Sequence, residues 1–228
     1  MPSHGDASWC ARGAELLAEA DALAHLGPRL DQIFERAQEK GLLGRATVPR
    51  REWVHAAAIA GGVADPGEGR CLDLGTGSGL FGLVMAACWP ATRWVFTDRR
   101  LRSETFVSWA IGVLEMSARA AFVRGEVAAL ARAEALTGRF DLVVARAFAS
   151  PAVTAECATG FLAVGGRLVV SEGEGSLADR WPAAPLRRLG LAVAATGAGP
   201  RFVELAKVAP QESRFPRRLA ALQRVPLY

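Results

Sequence analysis

The chain has 228 residues, of which 51% are hydrophobic, and it has a net charge of +4 and a mean hydropathy of +0.18. This length favours one domain with an extension. The lack of an apolar run of about 20 residues excludes a membrane span, and a start without a secretory leader predicts a cytoplasmic protein. Four scattered cysteines without a C-x-x-C pair argue against a disulfide framework or a bound metal.

The order of the predicted elements indicates an α/β fold. Amphipathic helices are predicted over residues 13–26, 28–40 and 50–62. From residue 70, short apolar strands alternate with helices, which predicts a doubly wound, mostly parallel sheet buried on both faces. The predicted strands are 70–75, 92–98, 119–125, 139–148 and 165–173, and the helices between them are 80–89, 100–117, 127–136 and 151–161. Two further strands, 191–197 and 201–209, predict an antiparallel pair at the sheet edge.

These elements divide the chain into three parts. Residues 1–62 are predicted to form a helical cap, residues 63–209 an α/β core, and residues 210–228 a short basic tail. The core has the architecture in which ligands bind outside the carboxyl ends of the strands. Functional side chains are therefore expected at those ends.

The stretch CLDLGTGSGLFG, Cys71 to Gly82, contains a glycine-rich turn between a strand and a helix. In one register, Gly77-x-Gly79-x-x-Gly82, it matches the dinucleotide fingerprint of NAD enzymes. In the other, Asp73-x-Gly75-x-Gly77, it matches enzymes that bind S-adenosylmethionine. An acid at the end of the second strand, Asp98, can hold a ribose in either case.

Three features favour S-adenosylmethionine over a dinucleotide. Asp73 is expected to face the loop, where it would repel a pyrophosphate but match a ligand ammonium group. Tyr228 is the only tyrosine and the last residue, so a Tyr-x-x-x-Lys proton donor is excluded. The stretch FLAVGGRLVV also has the turn and strand that follow the fourth helix in many methyltransferases.

Several stretches resemble the bacterial small-subunit ribosomal RNA guanine-N7 methyltransferase family (RsmG, formerly GidB). They are LDLGTGSGLFGLVMA, FDLVVARAFASP and, in the tail, RFPRRLAALQRVPL. The resemblance implies S-adenosylmethionine as cofactor and ribosomal RNA or the small ribosomal subunit as partner, and we expect a monomer. Guanine N7 has a lone pair and no proton, so positioning replaces a general base and no catalytic side chain is expected.

The resemblance also implies which residues form the site. Those expected around the cofactor are Gly75, Thr76, Gly77, Leu80, Asp98, Val127, Ala128 and Arg146. Those expected to contact RNA are Phe148, Arg214, Arg217, Arg218 and Arg224. More than one role stays open for Arg146, Phe148 and His55. Arg146 can pair with a methionine carboxylate, an RNA phosphate, or Asp73 or Asp141; Phe148 can stack on guanine or pack in the core; and His55 can contact the cleft or pack within its helix.

The chain also departs from the family pattern. Val54 and Ala58 replace polar residues near His55, Ala128 stands where an acid is usual, and Glu172 replaces a lysine expected to face the substrate. These departures keep two alternatives open: a methyltransferase of the same fold that acts on another RNA or a small molecule, and a non-catalytic RNA- or ribosome-binding relative.

Overall fold

Seven strands form one sheet in the computed structural model, which describes residues 26–228. The strands are β1 (Arg70–Leu74), β2 (Arg93–Asp98), β3 (Ala120–Arg124), β4 (Phe140–Arg146), β5 (Leu162–Ser171), β6 (Leu191–Ala198) and β7 (Arg201–Lys207). Their order in the sheet is β3-β2-β1-β4-β5-β7-β6. The first five strands are parallel, whereas β7 is antiparallel to both β5 and β6. The predicted α/β class and the antiparallel pair at the edge are confirmed.

Helices cover both faces of the sheet. They are α1 (Leu26–Glu39), α2 (Pro49–Gly62), α3 (Leu80–Cys88), α4 (Leu101–Val113), α5 (Val127–Leu130), α6 (Pro151–Phe161), α7 (Leu177–Arg180), α8 (Ala183–Arg188) and α9 (Leu219–Arg224). Buried side chains form two clusters, and neighbouring residues of β4 alternate between them: Leu142 belongs to the first and Val143 to the second. Since successive strand residues point to opposite faces, the two clusters lie on opposite sides of the sheet.

The amino-terminal helices and the tail share these two clusters. Buried residues of α1 and α2 belong to the same cluster as those of α3 and α4. In the tail, Phe215 and Leu222 belong to the second cluster, with α6. The division into cap, core and tail stays a prediction, and the predicted helix over residues 13–26 lies outside the described residues.

Two predicted helices are shorter than expected. The helix predicted to reach residue 117 ends at Val113, because Glu115 has a φ of +58°. The N–H groups of Glu115 and Met116 then donate to the carbonyls of Gly112 and Ile111, as in a Schellman motif. The helix predicted over 127–136 ends at Leu130 and continues as a series of turns.

Lys207, the last residue of β7, connects the sheet to α6. Its side chain is buried, and Nζ donates to the carbonyls of Thr159 (2.6 Å) and Leu162 (2.9 Å) and to Gln211 Oε1 (2.7 Å). The first two are carbonyls at the end of α6, where a helix leaves acceptors without partners. Burial lowers the pKa of Lys207 to about 8.

Candidate active site

The loop between β1 and α3 presents bare backbone. Gly75, Gly77 and Gly79 have φ values of +66°, +58° and +77°, a region that glycine enters readily and other residues do not. A Cβ atom on Gly75 would lie 2.2 Å from Cδ2 of Phe148, so the Phe148 ring packs against the loop itself. A Cβ atom on Gly77 would meet no more distant part of the described chain within 4 Å. The loop is therefore covered at Gly75 and open at Gly77.

Asp73, in β1, fixes the conformation of this loop through hydrogen bonds. Its side chain is 2% exposed, and Oδ2 accepts hydrogen bonds from Thr76 Oγ1 (2.5 Å) and the Gly82 N–H (3.1 Å). A Cβ atom on Gly82 would lie 2.5 Å from the same oxygen, so only glycine fits there. Asp73 therefore faces the loop, as expected, and its carboxylate is bonded within the loop. Its contact with a ligand ammonium group stays a prediction.

Burial raises the pKa of Asp73 to about 7, although the hydrogen bonds from Thr76 and Gly82 oppose this shift. An unfolded aspartate titrates near pH ~4. Between these values the folded chain retains a proton that the unfolded chain has lost. Stability contributed by this proton is present in full at low pH and is lost as the pH rises through about 7, by at most ~1.4 kcal/mol per pH unit.

We therefore expect Asp73→Asn to flatten the pH profile of stability between about 4 and 7. The measurement is urea unfolding at several pH values in that window. Asp179→Asn removes the same charge at an exposed position and is expected to leave the wild-type slope intact. Parallel profiles for wild type and Asp73→Asn would show that Asp73 is ionised throughout the window.

Asp98, at the end of β2, has a carboxylate whose acceptor positions are all used. Oδ2 accepts from the Gly77 N–H (3.1 Å) and Arg100 Nη2 (3.2 Å). Oδ1 accepts from the backbone N–H of Arg100 (3.0 Å) and from its Nε (3.1 Å). Burial alone would raise the pKa of Asp98, but the hydrogen bonds and charge of Arg100 hold it below its usual value. The group is an ionised carboxylate beside the open part of the loop.

A cavity of about 550 Å³ lies over the carboxyl ends of β1, β2 and β3. We call it the glycine-loop cavity, and Gly75, Asp98, Val127 and Phe148 are among the residues that line it. Leu219 and Leu222 of α9 also line it, so the tail contributes a wall to the cavity. This size lies within the range of small-molecule sites.

Four predicted cofactor residues of this region do not line the cavity: Thr76, Gly77, Leu80 and Ala128. Gly77 is linked to it through the hydrogen bond from its N–H to Asp98. Thr76 donates its hydroxyl hydrogen to Asp73, and Leu80 is buried at the first position of α3. Ala128 is fully buried, and its N–H donates to Glu126 Oε1 at 2.7 Å. Glu126 thus caps α5 with its own side chain and already uses this backbone donor.

A second cavity, of about 520 Å³, lies over the ends of β4 and β5. We call it the Arg146 cavity. Arg146 forms an ion pair with Glu52 of α2 across it, and its Nη1 also lies 3.5 Å from the Glu52 carbonyl. The partner of Arg146 is therefore Glu52, not Asp73 or Asp141 as the ion-pair alternative expected. Burial lowers the pKa of Arg146.

Ala147, Phe148 and Ala149 line both cavities. Ala147 has a φ of +50°, which turns the chain sharply at the end of β4. Phe148 is half-buried and packs against the second hydrophobic cluster as well as against Gly75. The two cavities are therefore neighbours with one shared wall.

The structure corrects the expectation for Glu172. Glu172 lines the Arg146 cavity, where a substrate-facing charge was expected. Its side chain is buried, however, and it accepts from Arg180 Nε (2.8 Å) and Trp181 Nε1 (2.7 Å). The negative charge is thus neutralised within the chain. His55 also lines this cavity, with Nε2 3.4 Å from Ser171 Oγ, and burial and the charge of Arg51 lower its pKa.

Comparison with known proteins identifies the family. Residues 41–182 match the family model described as rRNA small subunit methyltransferase G. The chain belongs to this family. Similar proteins named ribosomal RNA small subunit methyltransferase G include those of Mycolicibacterium vanbaalenii (32% identity over 67% of this chain and 70% of that protein) and Mycolicibacterium gilvum (32%, 71% and 74%). The match with the Synechococcus protein is 29% identical over 69% of this chain and spans 66% of that protein.

Solved methyltransferase structures share this fold. The antibiotic-resistance methyltransferase Kmr aligns with 73% of this chain and 97% of its own, with a TM-score of 0.51 and 22% identity. TrmN from Thermus thermophilus aligns with 78% of this chain and 53% of its own, with a TM-score of 0.54 and 22% identity. Together with the family match, they confirm the predicted methyltransferase fold.

Within this family member, two of the four tail arginines predicted to contact RNA are bonded inside the chain. Arg217 donates through Nε and Nη2 to the buried carboxylate of Glu156, at 2.9 and 2.7 Å. Arg214 pairs with Glu212 at 2.9 Å, and its guanidinium lies 4.9 Å from the ring centroid of Phe215. Arg218 and Arg224 are exposed and lie at the two ends of α9.

Three residues of the site have no sequence-based prediction. Glu52, Arg100 and Glu156 each pair with a residue that the family pattern does identify: Arg146, Asp98 and Arg217. Arg100 lies two residues after Asp98, and this short spacing could have predicted their ion pair. For Glu156, the signal was a lone acid within an otherwise uncharged helix, because acids are almost never fully buried unless paired. Glu52 had no such signal.

Residues 26–228 include no helix long and apolar enough to cross a membrane. Within the same range, no group of three or more His, Cys, Asp or Glu side chains could hold a metal ion.

Proposed function

We propose that this protein transfers a methyl group from S-adenosylmethionine to N7 of a guanine in small-subunit ribosomal RNA. The observation that carries the proposal is the pair of neighbouring cavities at the switch point of the sheet, between β1 and β4. One contains an open glycine loop and an ionised carboxylate, and the other is lined by paired charges. Family membership supports the same cofactor and substrate.

The glycine-loop cavity suits the adenosine part of the cofactor. Asp98 can accept hydrogen bonds from the two ribose hydroxyls, once Arg100 gives up its two side-chain contacts. Val127 offers an apolar wall for adenine, and the open backbone at Gly77 allows close approach. The cofactor, when bound, supplies an electrophilic methyl group. The assignments to Thr76, Leu80, Ala128 and Arg146 stay predictions.

Methyl transfer to guanine N7 needs no catalytic side chain. Guanine N7 has a lone pair and no proton, so attack needs no general base, and holding the two reactants in line can supply roughly 7–11 kcal/mol of barrier reduction in favourable cases. In this protein the two cavities share one wall that includes Phe148, so the cofactor and the guanine can be held side by side. The half-buried ring of Phe148 offers a face on which a base can stack.

Incubation with labelled S-adenosylmethionine tests the proposal. Substrates are small-subunit ribosomal RNA and assembled small subunits from cells that lack the modification, followed by mapping of N7-methylguanosine. We expect label at one guanine. Label found only in a small molecule, or no transfer despite cofactor binding in a calorimeter, would favour the alternatives. The proposal includes a cytoplasmic, monomeric enzyme that needs no metal.

Arg218 and Arg224 are the tail residues placed to contact RNA phosphates, because they flank the α9 wall of the glycine-loop cavity. We expect the double variant Arg218→Ala/Arg224→Ala to weaken RNA binding and to reduce the slope of log K against log salt by about 1.4–1.8, since each phosphate contact contributes ~0.7–0.9. Binding is measured by filter retention across a salt series.

Arg139→Ala is the matched control for this experiment. Arg139 is exposed and precedes β4, so it lies at the opposite edge of the sheet from both cavities. Its loss is expected to leave the salt slope unchanged. If the double variant and Arg139→Ala have the same slope, the α9 arginines do not contact RNA.

A further inference from the structure

We propose that the Arg146–Glu52 ion pair recognises the guanine edge of the substrate. The inference rests on the proposed function for its choice of base. It gives Arg146 a role that the family resemblance does not supply, and it adds Glu52, which the resemblance does not name. Arg146 was expected at a methionine carboxylate or an RNA phosphate, and Glu52 had no expected role. Both side chains line the Arg146 cavity rather than the glycine-loop cavity.

The pair is partly accessible to solvent. The side chain of Arg146 is 29% exposed and that of Glu52 is 25% exposed. Their charges compensate each other, so the cavity presents a donor and an acceptor side by side without a large net charge. A guanidinium has only donors and an ionised carboxylate only acceptors, and both retain unused positions in this pair.

This arrangement matches the hydrogen-bonding pattern of guanine. The base presents acceptors at N7 and O6, followed around the ring by donors at N1 and the exocyclic N2. Arg146 can donate to O6, and Glu52 can accept from N1–H and N2–H together. Adenine has a donor at the position of O6 and an acceptor at N1, so it would place like groups against both side chains.

The order of the groups in the structure follows the order of atoms on the base. The methyl donor is expected on the side of the glycine-loop cavity, and Ala147 lines both cavities. Arg146 is the next residue back along β4, and Glu52 lies beyond it on α2. With N7 directed toward the shared wall, O6 comes next to Arg146, and N1 and N2 come next to Glu52.

The alternative is that the ion pair only fastens α2 to the end of β4. A fastening role predicts that losing Glu52 lowers stability and leaves base preference unchanged. A recognition role predicts a change in preference between guanine and hypoxanthine, which differ only in the N2 amino group. A measurement of base preference therefore separates the two roles even if the variants are less stable.

The test uses the intact chain saturated with S-adenosylhomocysteine and titrated with GMP, IMP or AMP, with binding followed by saturation-transfer NMR. The ribose phosphate is common to all three ligands, so differences report on the base. We expect GMP to bind about 10–100-fold more tightly than IMP, the effect of one hydrogen bond to a charged acceptor. AMP is expected to bind more weakly than GMP.

In Glu52→Gln we expect GMP to bind no better than IMP. Glu104→Gln is the matched control, because it removes an acid that pairs with Arg124 outside both cavities, and it should keep the preference for GMP. Equal affinities for GMP and IMP in the wild type, or a preference that survives in Glu52→Gln, would overturn the inference, as would GMP that does not bind at millimolar concentration.

Outcomes for the inference and for the proposed function are distinguishable. Methylation of ribosomal RNA without base preference at Glu52 would leave the function standing and remove the recognition site. Base preference lost in Glu52→Gln without any methyl transfer would leave the recognition site standing and remove the function.

Discussion

Replacing Arg217 with alanine is expected to destabilise the folded chain by about 3–5 kcal/mol, the usual effect of removing one partner of a buried ion pair. Glu156 on α6 is 0% exposed. Its carboxylate accepts from the backbone N–H of Arg217 (2.8 Å) and from two guanidinium nitrogens, Nε and Nη2. Without the guanidinium, a buried carboxylate keeps one backbone donor and no counter-charge.

The consequence extends to the tail and to the glycine-loop cavity. Arg217 Nη1 also donates to the Val225 carbonyl at 3.0 Å, so this side chain connects α6 to both sides of α9. Leu219 and Leu222 of α9 line the cavity. Loss of the Arg217 contacts should therefore loosen that wall and weaken cofactor binding indirectly.

Urea unfolding measures the expected loss, with Arg214→Ala as the control. Arg214 also lies in the tail and pairs with an acid, but its partner Glu212 is exposed, so less than about 1 kcal/mol is expected. A second variant, Arg217→Ala/Glu156→Gln, removes the uncompensated charge and should recover part of the stability. If Arg217→Ala unfolds like Arg214→Ala, the ion pair contributes little.

This prediction separates two roles that the sequence presents as one. A tail with four arginines and one acid indicates an RNA-binding surface. The structure shows that Arg217 serves the interior, while Arg218, its neighbour, is exposed. The distinction depends on Glu156, 61 residues earlier in the chain, and no local pattern relates the two positions.

What could be predicted from sequence followed from local periodicity. Short apolar strands alternating with helices fixed the sheet class, and the bounds of α2, α3 and α6 agree with the predicted ones to within a residue. The end of α4 was missed because Glu115, a residue without a turn preference of its own, adopts a left-handed conformation there. Positive φ at such a residue is set by its surroundings, not by its identity.

The glycine loop and Asp98 were predicted from the sequence, but the groups to which the site residues are hydrogen-bonded were not. Gly75, Gly77 and Asp98 lie together, as the glycine pattern and the strand spacing predict. Asp73 was placed correctly on its strand, and its carboxylate bonds to the loop, because the tight approach of Gly82 brings a backbone donor within 3.1 Å. Side-chain direction at the end of a strand depends on such close contacts, which a sequence does not display.

Replacing Asp98 with alanine is expected to weaken S-adenosylmethionine binding by about 100-fold or more, since two hydrogen bonds to a charged acceptor contribute roughly 1.5–3 kcal/mol each. The carboxylate offers about four acceptor positions. In this structure the backbone N–H groups of Gly77 and Arg100 use two, and the Arg100 side chain uses the other two. The ribose hydroxyls must therefore compete with Arg100.

That competition gives Arg100 an effect of opposite sign. The Arg100 side chain is 48% exposed, so its ion pair with Asp98 contributes at most about 1 kcal/mol. Arg100→Ala removes the competing donors and keeps the backbone N–H, so we expect cofactor affinity to rise by up to about fivefold. Calorimetric titration with S-adenosylmethionine measures both variants.

Arg99→Ala is the matched control, because Arg99 also lines the glycine-loop cavity and its loss changes the net charge equally. If Arg99→Ala and Arg100→Ala raise the affinity for S-adenosylmethionine equally, the cause is the lost positive charge. It is then not the release of the Asp98 acceptor positions that the Arg100 side chain uses. If Arg100→Ala lowers the affinity, Arg100 contacts the cofactor itself instead of competing with it. If both Asp98→Ala and Arg100→Ala lower the affinity for S-adenosylmethionine, the two residues bind the cofactor together. If Asp98→Ala lowers the affinity and Arg100→Ala raises it, Asp98 binds the ribose hydroxyls, and Arg100 occupies their acceptor positions when the cofactor is absent.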